Sequence, residues 1–227
     1  MLNLIAANAF FLLIHFYVSG TRLRNALVAR LGAGPYRGAF SLASVLGLVW
    51  MVYAYRHAPT VPTWGFLLGF RHAAYLLVFI AFLFAVIGIT TPSPTQVGLE
   101  AKLAQGGDIA RGITRITRHP FLWGVALWAL VHLIVNGDLS SLILFGSLLV
   151  LALGGTLSID AKRKREFAEH WTQFADATSN VPFAAIATGK NQLGRALAEI
   201  GLGRLLLAVV LYAVAFYLHG VLGPPLT

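Results

Sequence analysis

Hydrophobic positions in this chain come in long blocks rather than in the short alternations of a soluble fold. Six blocks of roughly 17 to 20 residues each approach or reach the length needed to cross a hydrocarbon core of about 30 Å. They run from about Met1 to Ser19, Ala39 to Tyr55, His72 to Thr90, Pro120 to the Asn136-Gly137-Asp138 turn, Leu139 to Ser158, and Leu202 to Leu218. Thr91-Pro92-Ser93-Pro94 closes the third block. Pro120 opens the fourth at a position where its missing N–H leaves no hydrogen bond unmade. Met1 to Ser19 has no basic n-region and no A-x-A-like site behind it, so it reads as a retained span rather than a leader peptide. The pattern predicts an all-α polytopic membrane bundle of about six transmembrane helices, with residues 1–227 as a single integral-membrane domain.

The polar segments between the blocks add a second layer. Residues 20–37 and 97–118 mix Leu, Ile and Val with Arg and read as short amphipathic helices on a membrane surface. Residues 160–200 form a basic segment between the last two spans. Its first part alternates charge with aromatics (Asp160, Lys162, Arg163, Lys164, Arg165, Glu166, Phe167, Trp171, Phe174) and reads as a helix continuing from the fifth span. Fifteen Lys and Arg fall on one side of the predicted spans, and only Arg56 and Arg71 on the other. The positive-inside bias then predicts a multi-pass protein of the bacterial inner membrane with both termini periplasmic.

Composition agrees and narrows the chemistry. Hydrophobic residues make up 58% and charged residues 11%, against about 25% charged in ordinary soluble domains, which excludes that class. The net charge of +9 lies between apolar blocks, and no RRM, zinc-finger or basic-zipper pattern accompanies it, so the partner it indicates is an anionic lipid surface and not nucleic acid. The absence of cysteine removes disulfides, thiolate metal sites and Cys nucleophiles. No G-x-G-x-x-G, P-loop, H-E-x-x-H or G-x-S-x-G is present. Asp138 stands near the outer boundary of a span, where its turn context accounts for it.

Ionisable groups inside a membrane are costly and tend to face the bundle interior, so the histidines carry the information. His57, His170 and His219 lie in loops or at span ends. His15 sits in Phe11-Leu12-Leu13-Ile14-His15-Phe16, on a predicted helical face shared with Asn8 and Ser19. His132 follows Gly124 and Trp128 at four-residue spacing, and Gly124 permits the close approach of a neighbouring helix or a flat cofactor. Each of the two admits two readings, an interhelical hydrogen bond or a metal or haem ligand. His119, in Arg118-His119-Pro120, is about 220° around the helix from His132, so the pair cannot share one iron. His72 follows Arg71 at the outer end of the third span. Neutral imidazoles between apolar helices are the usual cradle of b-type haem, and without C-x-x-C-H a covalent c-type haem is excluded.

The block Thr117-Arg118-His119-Pro120-Phe121-Leu122-Trp123-Gly124, continued through Trp128, His132 and Asn136-Gly137-Asp138, resembles the NnrU family. So do Ile14-His15 with Arg22, Leu27-Val28-Ala29-Arg30-Leu31-Gly32, and Phe70-Arg71-His72. The resemblance implies a membrane protein linked to denitrification, with a role in nitric oxide or nitrite metabolism, and a relative of zeta-carotene isomerase, a haem b enzyme. If the chain is an enzyme, it implies a haem-dependent isomerase or oxidoreductase acting on a lipophilic polyene. By that likeness His15 and His132 match the two haem ligands, while Arg118, Arg71 and Trp128 become candidate cofactor-binding residues. The isomerase carries a Cys three residues before the second His; here that position is Ala129, so ligand exchange through such a Cys has no counterpart. Depth in the predicted spans favours other pairs. His15 and His132 lie near opposite faces, roughly 20 Å apart along the normal, whereas His72 with His132 and His15 with His119 match in level, an arrangement with room for two haems.

A second resemblance, to isoprenylcysteine and phospholipid methyltransferases, rests on Arg118-His119-Pro120, Asn136, Glu166, Glu169, Trp171, Phe174 and Val181-Pro182-Phe183 in that order. It implies S-adenosylmethionine binding at the cytoplasmic face. The adjacent Glu-Glu of that family is missing, since Phe167-Ala168 separates Glu166 from Glu169. A third reading is a non-enzymatic assembly factor for a respiratory complex.

Overall fold

The structure is a computed structural model that describes residues 1–105 and 110–222. Among these, the chain is helical, with an isolated bridge between Pro62 and Asp138 in place of any sheet. The helices are α1 (Leu2–Leu13), α2 (Leu23–Leu31), α3 (Ala33–Arg56), α4 (Arg71–Thr90), α5 (Pro120–Asn136), α6 (Leu139–Ala177), α7 (Ala184–Ala187), α8 (Leu193–Ile200) and α9 (Leu202–Leu222). A π-helical turn, Ile14–Val18, extends α1.

Four helical stretches are long and apolar enough to cross a membrane: Ala33–Arg56, Leu68–Thr90, Leu139–Ala177 and Leu202–His219. A fifth arises if the pair Leu2–Val18 and Leu23–Leu31, bent by 79°, counts as one span. The fourth block became α5, whose 17 residues rise only about 26 Å, short of a full crossing. Length and apolarity thus identify four to five spans among the described residues and do not establish the sixth. The shortfall lies where Pro120 fixes one end of α5 and the Gly137 turn fixes the other.

The chain forms two compact units. The first joins Met1–Ala74 to Ala129–Ile159, and the second joins Tyr75–Trp128 to the described residues from Asp160 onward. In the first, α1 packs along α3. Trp50 Nε1 donates to Asn3 Oδ1 at 3.0 Å, and the rings of Phe10 and Phe11 cover Gly47. The segment after α3 binds over the α5–α6 turn. Thr63 and Gly65 N–H both donate to Gly137 O, Leu139 N–H donates to Val61 O, and Trp64 Nε1 donates to Ile134 O at 2.8 Å. Gly137 has φ 57° and its Cα faces the Gly65 backbone so closely that no side chain fits, which is why the Asn-Gly-Asp turn needs glycine. Asp138 then caps α6 by accepting Ser141 N–H at 2.9 Å.

In the second unit, α4 meets α5 at Gly124. A Cβ there would lie 2.7 Å from Ala81 O and Ala85 N, so the small residue serves helix–helix contact. A cluster of Val86, Ile87, Ile113, Ile116, Ala196, Ile200 and Ala208 forms one core, and Leu103, Trp171 and Phe174 another. Helix α6 continues past its apolar part to Ala177, as the charge pattern predicts, with a break at Ala168.

The surface-helix expectation for 97–118 does not hold for the described residues. They form two 3₁₀ segments, Glu100–Gln105 and Gly112–Arg115, and residues 106–109 lie outside the described chain. Ile113, Thr114, Arg115, Ile116 and Thr117 are buried, because their apolar side chains join the core and Arg115 finds a carboxylate inside. In 20–37, α2 is short and has no buried residue.

Candidate functional site

His15 stands in the π-helical turn. Ser19 N–H reaches back five residues to Ile14 O at 3.0 Å, so this turn holds one residue more than an α-turn. Such insertions recur at functional positions because they re-aim a side chain without ending the helix. They also break the Asn8–His15–Ser19 stripe counted at 3.6 residues per turn. His15 Nδ1–H donates to Phe11 O at 2.8 Å, since a carbonyl can only accept. In the neutral ring this fixes the tautomer and leaves Nε2 with its lone pair. The ring lies between Phe11, at 4.4 Å between centroids, and Phe40, at 5.2 Å and edge-on. Phe16 of the same turn fills the space over Gly154 of α6, where a Cβ would stand 2.7 Å from the ring.

His132, near the end of α5, lies tilted against Phe145 of α6, 4.9 Å between ring centroids. Phe145 is buried and meets Tyr55 edge-on at 6.0 Å; Tyr55 Oη bonds Ser141 Oγ at 2.8 Å. Two buried polar atoms in this unit lack a hydrogen-bond partner, Asn8 Oδ1 and Tyr36 Oη. Asn8 is on α1 with His15, and Tyr36 stacks on Phe40 at 6.1 Å. Buried polar atoms are paired as a rule, so these two mark places where a bound group or water would be held.

The R-H-P motif builds a different centre, in the second unit. Arg118 grips Asp160 through Nε, at 3.0 Å to Oδ2, and Nη2, at 2.7 Å, while His119 Nε2 meets Asp160 Oδ1 at 2.6 Å. Asn180 Nδ2 adds a bond at 3.3 Å, and Trp171 lies 5.6 Å from the Arg118 guanidinium. Asn180 O also receives Trp123 Nε1–H at 2.8 Å and the Thr117 hydroxyl. Burial pushes His119 below the usual imidazole range, and its bond to Asp160 only partly offsets this, so the ring is neutral at pH 7. Burial alone would raise Asp160, but the hydrogen bonds from His119 and Arg118 outweigh it and hold the carboxyl below its ordinary range. Two more buried guanidinium groups flank the motif. Arg115 binds Glu199 through Nε, at 2.8 Å, and Nη2, at 3.0 Å; chiefly by that bond Glu199 is lowered to about 2. Arg163 bonds Glu100 at 2.8 Å, Glu166 at 3.0 Å and Pro94 O at 3.1 Å.

The candidate residues thus separate into two groups. His15, Arg71, His72 and His132 belong to the first unit, and Trp128, Arg118 and His119 to the second. Arg71 is half-buried and His72 exposed at the start of α4, and Trp128 is half-buried on α5. No cluster of three or more His, Asp or Glu suited to a metal occurs among the described residues. Sequence reasoning missed Asp160 as the hub of the R-H-P motif, and with it Asn180 and the Arg115–Glu199 pair. The available signal was an acid two residues past the apolar end of the fifth span, a position whose charge needs an internal partner.

The chain matches the family model described as NnrU protein over residues 3–225. It belongs to the NnrU family. It is also similar to the chloroplastic 15-cis-zeta-carotene isomerases of Arabidopsis thaliana and Zea mays, at 33% identity over 82 residues in each case. That match covers 36% of this chain and 22% of each relative. No solved structure matches it.

Proposed function

We propose that this NnrU-family membrane protein binds b-type haem through His15 and His132 and isomerises a lipophilic polyene. The observation that carries the reading is the state of His15: a π-turn re-aims the imidazole, and the Phe11 carbonyl fixes Nδ1 as the protonated nitrogen. Ligating histidines ordinarily have their second nitrogen tied in this way. The donor chemistry fits haem: two imidazoles, each against aromatic rings. His15 meets Phe40 near the start of α3, and His132 is linked through Phe145 to Tyr55 near its end, so each would hold a haem at its own level. The orphaned Asn8 Oδ1 and Tyr36 Oη in the same unit support a polar group bound there. The kinship with the two isomerases supports the substrate class. When bound, haem supplies a redox and Lewis-acid centre able to lower the barrier to rotation about a conjugated double bond.

The chain's own residues bind and orient. Phe11 holds the His15 tautomer, Phe145 backs the His132 ring, and the apolar walls suit a hydrocarbon. Arg118 is held through two nitrogens by Asp160 in the second unit, whereas Arg71 is the propionate candidate that shares the first unit with His15 and His132. Arg118 and Glu166, which a methyltransferase would turn toward S-adenosylmethionine, here bond Asp160 and Arg163.

Protein purified in detergent from haem-replete cells is expected to show a Soret band. His15→Ala and His132→Ala should each lose about half of that absorbance at unchanged expression, whereas His57→Ala should keep it. A colourless wild-type protein, or a band indifferent to both ligand substitutions, would defeat the assignment. Conversion of a cis-polyene by the coloured protein, followed by chromatography of the isomers, tests the reaction itself.

A further inference from the structure

Helix α8 begins after Gln192 and stops at Gly201, one residue before α9 starts at Leu202. At 100° per residue its side chains sort into three strips. Ala196 and Ile200, 0% and 4% exposed, face inward onto the core of Val86, Ile87, Ile113 and Ala208. Arg195 and Glu199 share the polar strip, joined at 2.9 Å, and Glu199 also clamps Arg115 and the Gly112 N–H, each at 2.8 Å. Leu193 and Leu197 form the remaining edge, beside the inward strip, and are 42% and 55% exposed.

The height of α8 is set from the α9 side. Arg204 Nη1–H donates to Ile200 O at 2.9 Å, and its Nε–H donates to Thr90 O at 3.3 Å. One guanidinium thereby caps the C-termini of α8 and α4, where a cation is favoured by the helix dipole. Both α4 and α9 are span candidates, so this cap marks the level at which apolar helix gives way to polar chain. Gly201, with φ 80°, lets the backbone turn between α8 and α9 at that level. The exposed leucine edge thus stands at the end of α9, whose first turns also expose Leu202 and Leu206. Exposed Lys190 and Arg195 lie just before and within the helix. An apolar edge on one side of a helix and basic side chains on the other, at a bilayer boundary, is the pattern of an interfacial helix that attracts anionic lipid.

We propose that α8 lies in the headgroup layer as an anionic-lipid site, with Leu193 and Leu197 in the acyl boundary and Lys190 on a phospholipid phosphodiester. The proposal is independent of any haem. The chain has no cysteine, so a single label can be placed on it. Leu197→Cys in the full-length protein, carrying a polarity-sensitive fluorophore, is reconstituted in phosphatidylcholine nanodiscs containing brominated phosphatidylcholine or brominated phosphatidylglycerol at equal fraction. The label should be quenched by both brominated lipids, more strongly by the phosphatidylglycerol, and little by aqueous iodide. Lys190→Gln should cut the phosphatidylglycerol preference by about fivefold, the equivalent of about 1 kcal/mol per basic side chain near an anionic surface. A label quenched by iodide and not by lipid overturns the placement. Equal quenching by the two lipids, or a preference unmoved by Lys190→Gln, overturns the anionic site. Free phosphate abolishing the preference would also overturn it, because the ligand would then be the ion and not the lipid.

Discussion

His119 and Asp160 show how burial and pairing divide the work at a single residue. A histidine held neutral by burial has a lower pKa folded than unfolded, so acid favours the unfolded chain. Its stabilising contribution is complete above about pH 6.5 and declines as pH falls toward the folded value, by at most about 1.4 kcal/mol per pH unit. Glu199 works in a separate window: lowered to about 2, it contributes above about pH 4.5 and loses that contribution as pH falls from there. Asp160 likewise loses its contribution only as pH falls below the ordinary carboxylate range. Between about pH 6.5 and 5, therefore, the acid sensitivity at this centre belongs to His119. His119→Gln, which keeps an N–H for Asp160, should flatten the melting temperature of the detergent-solubilised protein across that interval, while the wild type loses several degrees. Asp160→Asn should cost on the order of 3 kcal/mol at all pH values, because it leaves the Arg118 charge buried without its carboxylate. A His119→Gln protein as acid-sensitive as the wild type would show that the titrating group lies elsewhere.

At the scale of the element, two glycines and one irregular turn decide where the helices sit. Gly124 was legible in the sequence, since its four-residue spacing to Trp128 and His132 announces a close-packed face, and α4 does approach there. The π-turn at Ile14–Val18 was not legible. Hydrophobic periodicity over the five residues of this turn cannot reveal one extra residue, and the Phe16 ring it presents packs over Gly154, far along the chain. Asp160 was hidden for a related reason: its partners Arg118, His119 and Asn180 lie 42, 41 and 20 residues away in the chain. These differences make separable predictions. Gly124→Ala puts a methyl 2.7 Å from backbone atoms of α4, which cannot yield as a side chain can, so it should destabilise the protein by about 1–3 kcal/mol. Gly154→Ala meets only the end of the Phe16 ring, which can swing away. It should cost less stability but shift the π-turn, and so diminish the Soret absorbance of haem-replete protein. Equal thermal losses in the two variants, with unchanged spectra, would remove the link between Gly154 and His15.

For the whole molecule, the remaining question is how the helices translate into crossings, and charge and length pull on it differently. Length and apolarity identify four to five spans, with α5 too short by that measure. Charge sorts the cations fifteen to two only if α5 crosses as well. A 17-residue helix can satisfy both if the bilayer thins locally, which costs fractions of a kcal/mol per ångström of mismatch. An uncrossed α5 would instead place His57 and Lys190 on the same side, with an apolar helix lying in the interface and carrying half-buried His132. We propose the crossing arrangement, with the amino terminus and His57 outside and Lys190 inside a bacterial inner membrane. Single cysteines introduced as Leu2→Cys, His57→Cys and Lys190→Cys read it directly against the cysteine-free background. A membrane-impermeant maleimide applied to intact spheroplasts should label the first two, and Lys190→Cys only after permeabilisation. Labelling of Lys190→Cys together with His57→Cys would mean that α5 does not cross. The positive-inside reading of the segment from Lys162 to Arg204 would then fail with it, because those seven cations would face outward against the charge bias that orients membrane helices.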